Sequence, residues 1–157
     1  MRKILDVFVV ILCIMIGMSI YNVYSGKSKV VSLFGYSGLS VVSGSMEPEI
    51  SIGDYIIVKK PKIEDINTRS IITYEKEDVL ITHRVVRIND DGSYVTKGDA
   101  NNVEDDGDVK FENIIGVCAF NIPLLGTILL FIKSNIYYII GFLILVSISI
   151  KFFNKVR

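Results

Sequence analysis

Hydrophobic and polar positions divide the chain into three parts. Two long, nearly uncharged apolar runs, residues 4–24 and 136–153, lie towards its ends, and short apolar runs alternate with polar turns between them. A helix needs about 20 apolar residues to cross a bilayer, so each run predicts a membrane helix. The first run also fits a cleaved leader, but it is longer than the roughly 7–15 apolar residues usual there, and we expect it to be retained.

The stretch 26–133 between these runs predicts β structure. Segments rich in β-branched and aromatic residues are separated by turn-forming Gly, Asn and Asp. They lie at Tyr55–Lys59, 71–74, Val79–Ile88, 93–96 and 114–120. The sequence Asn-Asp-Asp-Gly between the third and fourth segments predicts a hairpin. We therefore expect a mainly β fold, with a small barrel-like or sandwich-like domain flanked by two transmembrane helices.

The apolar segment 122–132 lies between the last predicted strand and the second predicted membrane helix. It contains Pro123 and Gly126, and the polar residues 133–135 follow it. Proline and glycine disfavour a spanning helix. We expect this segment to lie against the outer membrane face or to dip into it.

The distribution of charge orients the chain. Basic residues concentrate beyond the apolar runs: Arg2, Lys3, Lys151, Lys155 and Arg157. Since cytoplasmic flanks carry the excess of Lys and Arg, and Lys133 alone precedes the second run, both termini are predicted to be cytoplasmic. The stretch 26–133 would then lie outside the cytoplasm.

Composition excludes several classes of protein. Half of the residues are apolar and 22% are charged, which is too apolar for a disordered chain. The stretch 26–133 holds 12 of the 17 basic and 16 of the 17 acidic residues, a net charge of −4, so nucleic acid is not an expected partner. The two cysteines do not make a disulfide framework.

A short polar island, Ser43-Gly44-Ser45-Met46-Glu47-Pro48, follows an apolar stretch that ends at Val42. Two hydroxyl residues around a glycine permit a tight turn with exposed hydroxyls. A nucleophilic serine needs such exposure, together with a nearby donor that holds an oxyanion. The same residues fit a purely structural turn, so this island alone leaves both interpretations open.

A second island, Thr82-His83-Arg84, lies within a predicted strand and contains the only histidine of the chain. Histidine is the side chain whose ordinary pKa suits a general base near neutral pH. A surface or structural role fits this residue as well. One histidine without a pair of nearby thiols does not make a zinc site, and we expect no metal or other cofactor.

The third island is the acidic segment 97–108. Its carboxylates could orient the histidine, bind a cation or solvate a loop. Part of it approximates the ligand spacing of an EF-hand, but Asn113 stands where that loop needs glutamate, and no helices flank it. Spacing alone leaves the three alternatives open, with calcium the least favoured.

Taken in order, the islands resemble the type I signal peptidases, in particular the Ser/His branch of the endoplasmic reticulum, archaea and some Gram-positive bacteria. The resemblance rests on SGSMEP, GDYIIVKK, IITY, THRVV, KGDANN and IPLLGTILLFI, and covers most of the chain. SGSMEP followed by THR and KGDANN is far more specific than any one island. Thr68-Arg69-Ser70 departs from the usual Gly-Asp turn, away from the three islands.

The resemblance implies a role for each candidate residue. Ser45 matches the nucleophile, and His83 matches the general base at a position that a lysine fills in the other bacterial branch. Asp105 matches the carboxylate that orients the base, with its neighbour Asp106 as the alternative. Asp99 matches the other functionally important acid of that motif. Ser43 matches a hydroxyl that helps the Ser45 amide to form an oxyanion hole.

The function implied by the resemblance is that of a membrane-bound serine endopeptidase that removes signal peptides from translocated preproteins. The family's substrates have small residues at positions −3 and −1, and the bilayer and an accessory membrane subunit are its expected partners. Two other functions remain open at this point. A non-catalytic subunit that binds signal peptides or partner proteins would keep His83 away from Ser45. A membrane-tethered cation-binding domain would be stabilised by calcium.

Overall fold

The computed structural model describes Ile14, Gly17, Tyr21 and residues 30–156. The predicted helix over residues 4–24 lies outside the described part, apart from those three residues. Within the described part, seven strands precede one long helix. The strands are β1 (Ser32–Leu33), β2 (Tyr36–Ser40), β3 (Tyr55–Lys59), β4 (Ile71–Lys76), β5 (Val79–Ile88), β6 (Tyr94–Lys97) and β7 (Ile114–Ile122). The helix, α1, spans Leu125–Val156, and short 3₁₀ turns occupy Ile63–Asp65 and Phe111–Asn113.

All seven strands form one antiparallel sheet in the order β1-β2-β3-β7-β4-β5-β6. The prediction of a mainly β fold is confirmed. The sheet is open, because among the described strands β1 and β6 lie at its two edges and do not pair with each other, whereas we expected a barrel-like or sandwich-like domain. The last strand in sequence, β7, pairs with both β3 and β4, so it joins the two hairpin-like halves in a single sheet.

The predicted strands coincide closely with the observed ones, and the predicted hairpin joins β5 to β6. Gly92 takes a φ of 81° in that turn, which glycine adopts without steric cost. The pattern of apolar residues did not predict β1 or β2. Gly38 and two serines give β2 little intrinsic preference for a strand, and the sheet accepts Gly38 because its Cα packs directly under the Tyr55 ring.

Two hydrophobic clusters stabilise the sheet. One is built from β4, β5, β6, the start of β7 and two loop residues, and is made of Ile66, Ile72, Tyr74, Val85, Tyr94, Val109 and Ile114. The other joins β3 to the polar island that contains Ser45, and is made of Met46, Ile50, Ile56 and Val58. Since Met46 follows Ser45 directly and is only 2% exposed, the second cluster anchors the nucleophile candidate to the sheet.

The helix α1 differs from what the sequence predicted. It runs without a break from Leu125, so the segment 122–132 and the run 136–153 are not separated at residues 133–135. Pro123 lies before the first turn, where it removes no helical hydrogen bond. Asn135 does not interrupt the helix, because its side-chain amide donates to the Phe131 carbonyl at 2.9 Å.

One helix of the described part is long and apolar enough to cross a bilayer. Its qualifying stretch is Leu125–Phe142, almost all of which lies outside the packed core. A lipid-facing helix has this character, because its side chains need no protein partner. The placement of residues 122–132 at the membrane face remains a prediction.

Candidate active site

The three polar islands meet at one place. Ser45 Oγ lies 3.1 Å from His83 Nε2, and His83 Nδ1 lies 2.5 Å from Asp105 Oδ2. Ser45 is in the loop between β2 and β3, His83 is in β5, and Asp105 is in the loop after β6. The structure therefore brings a hydroxyl, an imidazole and a carboxylate into one hydrogen-bonded row from three separate parts of the chain.

The sheet holds the imidazole. His83 is paired with Ile72 of β4, and the ring is only 8% exposed. The adjacent pair, Thr73 and Thr82, adds a hydrogen bond between the two hydroxyls at 2.8 Å. A buried side chain on a paired strand has few alternative rotamers, so Nε2 stays directed at the hydroxyl.

The loop after β6 holds the backbone of the nucleophile candidate. The Ser45 carbonyl accepts the Ala100 N–H at 2.9 Å. A Cβ at Gly98 would lie only 2.6 Å from that carbonyl, so this approach requires glycine. Behind Ser45, the Met46 carbonyl accepts the Ile50 N–H at 3.0 Å in a turn that buries both side chains. The backbone is thus held at Ser45 by the loop after β6 and at Met46 by the following turn, and these contacts position the Ser45 side chain.

Three donors converge on one oxygen of Asp105. Oδ2 accepts from Thr96 Oγ1 at 2.7 Å and from Tyr74 Oη at 3.0 Å, besides its contact with His83. Burial alone would raise the pKa of Asp105, but the hydrogen bonds from His83, Thr96 and Tyr74 outweigh burial and lower it below its ordinary value. The carboxylate is therefore ionised at neutral pH and holds Nδ1 as a proton donor.

Tyr74 complements this carboxylate from the core. Burial, with the nearby charge of Asp105, raises the pKa of Tyr74 to about 12. The phenol therefore stays protonated and keeps donating over the whole range in which an enzyme is assayed. The sequence analysis singled out neither Tyr74 nor Thr96, because each is an ordinary strand residue until the fold places it against Asp105.

The structure distinguishes between the two adjacent acids. Asp105 contacts His83. The Asp106 backbone carbonyl instead accepts a hydrogen bond from the Lys76 ammonium at 2.5 Å, and the Asp106 side chain is exposed. Asp106 is thus outside the row of interacting side chains.

Asp99 is placed differently from Asp105. Its two carboxylate oxygens accept from Arg84 Nε at 2.8 Å and Nη2 at 2.6 Å, a bidentate pair. Hydrogen bonding to Asp99 raises the pKa of Arg84 against the opposing effect of burial, and Arg84 also donates to the Arg69 carbonyl at 2.9 Å. The ion pair between Arg84 and Asp99 links β5, which carries His83, to the loop after β6, which binds the Ser45 backbone. The sequence placed Arg84 in the second island but gave no sign of this role.

Ser43 and a groove lie beside the hydroxyl. Ser43 is exposed, and its Oγ lies 3.5 Å from Ser45 Oγ. A groove of about 510 Å³ opens there between residues 39–43 and residues 79–83. Its walls are largely apolar, and they include Leu39, Val41, Met46, Ile50, Ile56 and Ile81. The groove leads directly to the row of Ser45, His83 and Asp105.

This geometry suits nucleophilic acyl transfer. The Nδ1 proton is held by Asp105, so the lone pair on Nε2 is free to accept the Ser45 proton. A hydroxyl activated in this way beside an open groove can attack a carbonyl carbon of a bound chain. Within the described part, no group of three or more His, Cys, Asp or Glu residues is arranged to hold a metal ion.

Comparison with known proteins identifies relatives along most of the chain. No protein-family model matches it. Signal peptidase I W of Bacillus subtilis is 38% identical over 88 residues, which are 53% of this chain and 46% of that protein. The match therefore spans about half the length of that relative. The SEC11 catalytic subunit of the signal peptidase complex from Candida tropicalis is 31% identical over 133 residues, 73% of this chain and 76% of that protein. Its counterpart in Scheffersomyces stipitis is 32% identical over 128 residues, with the same coverage.

Proposed function

This chain belongs to the signal peptidases, a family of serine endopeptidases, and on that premise we propose that it is a membrane-bound enzyme that cleaves N-terminal signal peptides from translocated preproteins. The observation that carries the proposal is the hydrogen-bonded row of Ser45, His83 and Asp105. The relatives at 31–38% identity support the same activity.

The reaction begins with attack by the serine. His83 Nε2 takes the Ser45 proton as Oγ bonds to the scissile carbonyl carbon, and the carbonyl oxygen becomes an oxyanion. The C–N bond then breaks, and the imidazolium gives its proton to the departing amine of the mature protein. Water, deprotonated by His83, attacks the acyl carbon, and the ester bond to Ser45 breaks with return of the proton. Asp105 stabilises the imidazolium in both halves.

The oxyanion needs hydrogen-bond donors beside Ser45. We assign this role to the Ser43 hydroxyl together with the Ser45 backbone amide. The support is the 3.5 Å separation between the two serine hydroxyls and the exposure of Ser43 on the groove side. A donor placed in advance at this position stabilises charge that develops only in the transition state.

The substrate is proposed to bind as an extended strand in the groove. Residues 79–83 of β5 pair with β4, while the pairing of β6 begins only at Arg84. Within the described part, the other edge of β5 is therefore left open along the groove. An extended peptide could add to that edge by backbone hydrogen bonds and direct alternate side chains into the apolar wall. Small residues at −3 and −1 of the substrate fit shallow apolar sites of this kind.

Membrane attachment would bring enzyme and substrate together. We propose two transmembrane helices, over residues 4–24 and over residues 136–153 of α1, with the β domain outside the cytoplasm and both termini inside it. The apolar stretch Leu125–Phe142 supports the second helix. The SEC11 relatives are named as subunits of a complex, which supports an accessory membrane subunit as a partner.

The two other functions raised by the sequence receive less support. A non-catalytic subunit would have no need to hold Ser45 Oγ within 3.1 Å of His83 Nε2 or to fix the imidazole with an ionised Asp105. A cation-binding domain would use the acidic loop. The Asp105 carboxylate in that loop is instead hydrogen-bonded to His83, Thr96 and Tyr74.

The test uses the full chain in detergent with one preprotein as substrate. Native protein should release the signal peptide, while Ser45→Ala and His83→Ala should each lower the rate by about 10⁶-fold in kcat, effectively to no cleavage. The double variant should lose no more than either single one, because the two residues act as a unit. Cleavage retained by either single variant would contradict the assignment.

A further inference from the structure

A second carboxylate, Asp54, is buried away from Ser45. It lies in the turn before β3 and is 5% exposed. Oδ2 accepts the Ser51 N–H at 3.0 Å and the Asn121 side-chain amide at 3.2 Å, and Oδ1 accepts the Leu124 N–H at 3.2 Å. The hydrogen bond from Ser51 is the main reason why the pKa of Asp54 is lowered in spite of burial. A buried charge with only neutral donors is costly unless those donors are firmly held.

The three donors come from three different parts of the fold. Ser51 follows the turn that contains Ser45, Asn121 lies at the end of β7, and Leu124 directly precedes α1. The positive end of the helix dipole also faces the carboxylate at Leu124, which favours the charged form. Asp54 is thus the point at which the nucleophile-bearing loop, the sheet and the membrane helix candidate meet.

Backbone contacts bind the start of α1 to the same turn. The Gly53 carbonyl accepts the Thr127 N–H at 2.9 Å. A Cβ at Gly126 would overlap the Asp54 carbonyl oxygen and lie only 2.8 Å from the Gly53 carbonyl oxygen, so no side chain fits between helix and turn. The first turn of the helix therefore packs on the backbone of residues 53–54 without an intervening layer.

The same turn holds both sides of the nucleophile loop. Upstream of Ser45, Val41 exchanges two backbone hydrogen bonds with residues 53 and 54, each of 2.9 Å. Downstream, the Asn121 amide also donates to the Glu49 carbonyl at 3.5 Å. The turn and the loop that carries Ser45 are therefore held as one unit, so the position of α1 relative to the turn sets its position relative to the serine.

We infer that Asp54 is a positioning residue that fixes the site of Ser45 relative to helix α1, so that a substrate held in the same bilayer meets the serine at the correct height. The inference rests on the proposed function. We call the contact between residues 53–54 and the first turn of α1 the helix joint. The inference predicts that loosening this joint impairs cleavage of a membrane-inserted preprotein, whose cleavage site has a fixed height. A short soluble peptide can adjust its own position, so its cleavage should be spared.

The experiment compares two substrates in one preparation. The full chain is reconstituted in phosphatidylcholine vesicles and assayed with a membrane-inserted preprotein and with a water-soluble peptide that spans the same cleavage site. Asp54→Asn keeps the shape of the side chain but replaces one acceptor with an amide that opposes the N–H donors. We expect kcat/KM for the preprotein to fall about 10- to 100-fold, the scale of a misplacement near 1 Å.

The ratio of the two kcat/KM values is the readout. Cleavage of the soluble peptide by Asp54→Asn should stay within about twofold of native, and because the ratio is taken within one sample, it is independent of the folded fraction. Gly126→Ala disturbs the same joint by a steric clash rather than by loss of a hydrogen-bond acceptor. It should likewise lower kcat/KM for the preprotein but not for the soluble peptide. The matched control is Asp65→Asn, a partly exposed aspartate paired with Lys59, which should leave both rates unchanged.

Two outcomes would overturn the inference. An equal loss with both substrates in Asp54→Asn and Gly126→Ala would mean that the joint is merely structural. An unchanged preprotein rate in both variants would mean that the helix position does not matter. Failure of the proposed function looks different, because the native chain would then cleave neither substrate.

Discussion

Asp105 and Asp54 are two largely buried carboxylates, in two regions of the molecule, that hydrogen bonds stabilise in the charged form. Each carboxylate is largely removed from water, each is held by three hydrogen-bond donors, and each has a lowered pKa. They differ in what the donors can do. One donor to Asp105 is His83, which in the proposed mechanism gains and loses a proton, whereas the donors to Asp54 are two backbone amides and the Asn121 side chain. In the proposed mechanism the arrangement around Asp105 serves proton transfer, and in the inference drawn above the arrangement around Asp54 positions a helix.

Of the changes that separate the two carboxylates, substitution of Asp105 should have the greatest effect on the proposed activity. Asp105→Asn should lower kcat by about 10⁴-fold, because a neutral amide cannot hold the imidazole in the required tautomer or stabilise the imidazolium. The measurement is the rate of signal-peptide release in detergent at saturating preprotein.

The neighbouring acid provides the control for that prediction. Asp106→Asn removes the same charge as Asp105→Asn, one residue further along the chain, but it removes no contact with His83. Activity should therefore stay within about twofold of native. A larger loss in Asp106→Asn than in Asp105→Asn would reverse the assignment of the two residues.

A smaller loss is expected at the hydroxyl beside the nucleophile. Ser43→Ala should lower kcat by about 10²-fold with little change in KM, since the lost donor acts on charge that exists only in the transition state. Ser43→Thr retains the hydroxyl and should recover most of the rate. Equal loss in both variants would mean that the side chain shapes the groove rather than donating to an oxyanion.

A third carboxylate, Asp99, sharpens the comparison because it is paired with a cation. Arg84→Lys replaces a bidentate guanidinium by a single ammonium, and it should lower the free energy of unfolding by about 1–3 kcal/mol. Denaturation of the detergent-solubilised chain measures this. Arg87→Lys alters a much more exposed pair with Glu104, 3.5 Å apart, and should change stability by less than about 0.5 kcal/mol.

The smallest expected effect concerns pH. The folded-state pKa values of Asp105 and Asp54 both lie below 3.8, so the unfolded chain binds these protons more tightly than the folded chain. Their contribution to stability is therefore fully present above pH 3.8 and is lost as pH falls through the folded values. Melting temperatures between pH 3 and pH 7 should depend less on pH in Asp105→Asn and Asp54→Asn. A steeper dependence in either variant would contradict these directions.

The sequence drew attention to the three polar islands but not to the helix joint, for a physical reason. Ser45, His83 and Asp105 are residue types with distinctive chemistry, and each lies in a polar island that ordinary strand propensity does not explain. Their convergence came from the family resemblance, and the structure brings the three together. Tyr74 and Thr96 were missed because their importance arises from a contact across the sheet, which no local pattern encodes.

The joint was missed because its elements are individually ordinary. Gly53 and Asp54 indicated only a turn, and Pro123, Gly126 and Asn135 suggested a break where α1 is continuous. Local propensity cannot show that Asn135 has a partner in the preceding turn or that Gly126 is required by close packing. The open sheet, too, depends on β7 returning between β3 and β4, a long-range pairing that strand patterns do not specify.

The decisive experiment for the proposed mechanism is to identify the nucleophile by trapping it with a phosphonate ester, whose phosphorus bonds to the attacking oxygen with loss of an alcohol or phenol. The native chain in detergent is treated with a peptidyl phosphonate that carries the sequence of a cleavage site, and the modified residue is mapped by mass spectrometry. The account predicts a single adduct on Ser45 that forms rapidly in the native chain and fails to form in His83→Ala. An adduct on another hydroxyl, or one on Ser45 that forms equally fast without His83, would contradict it.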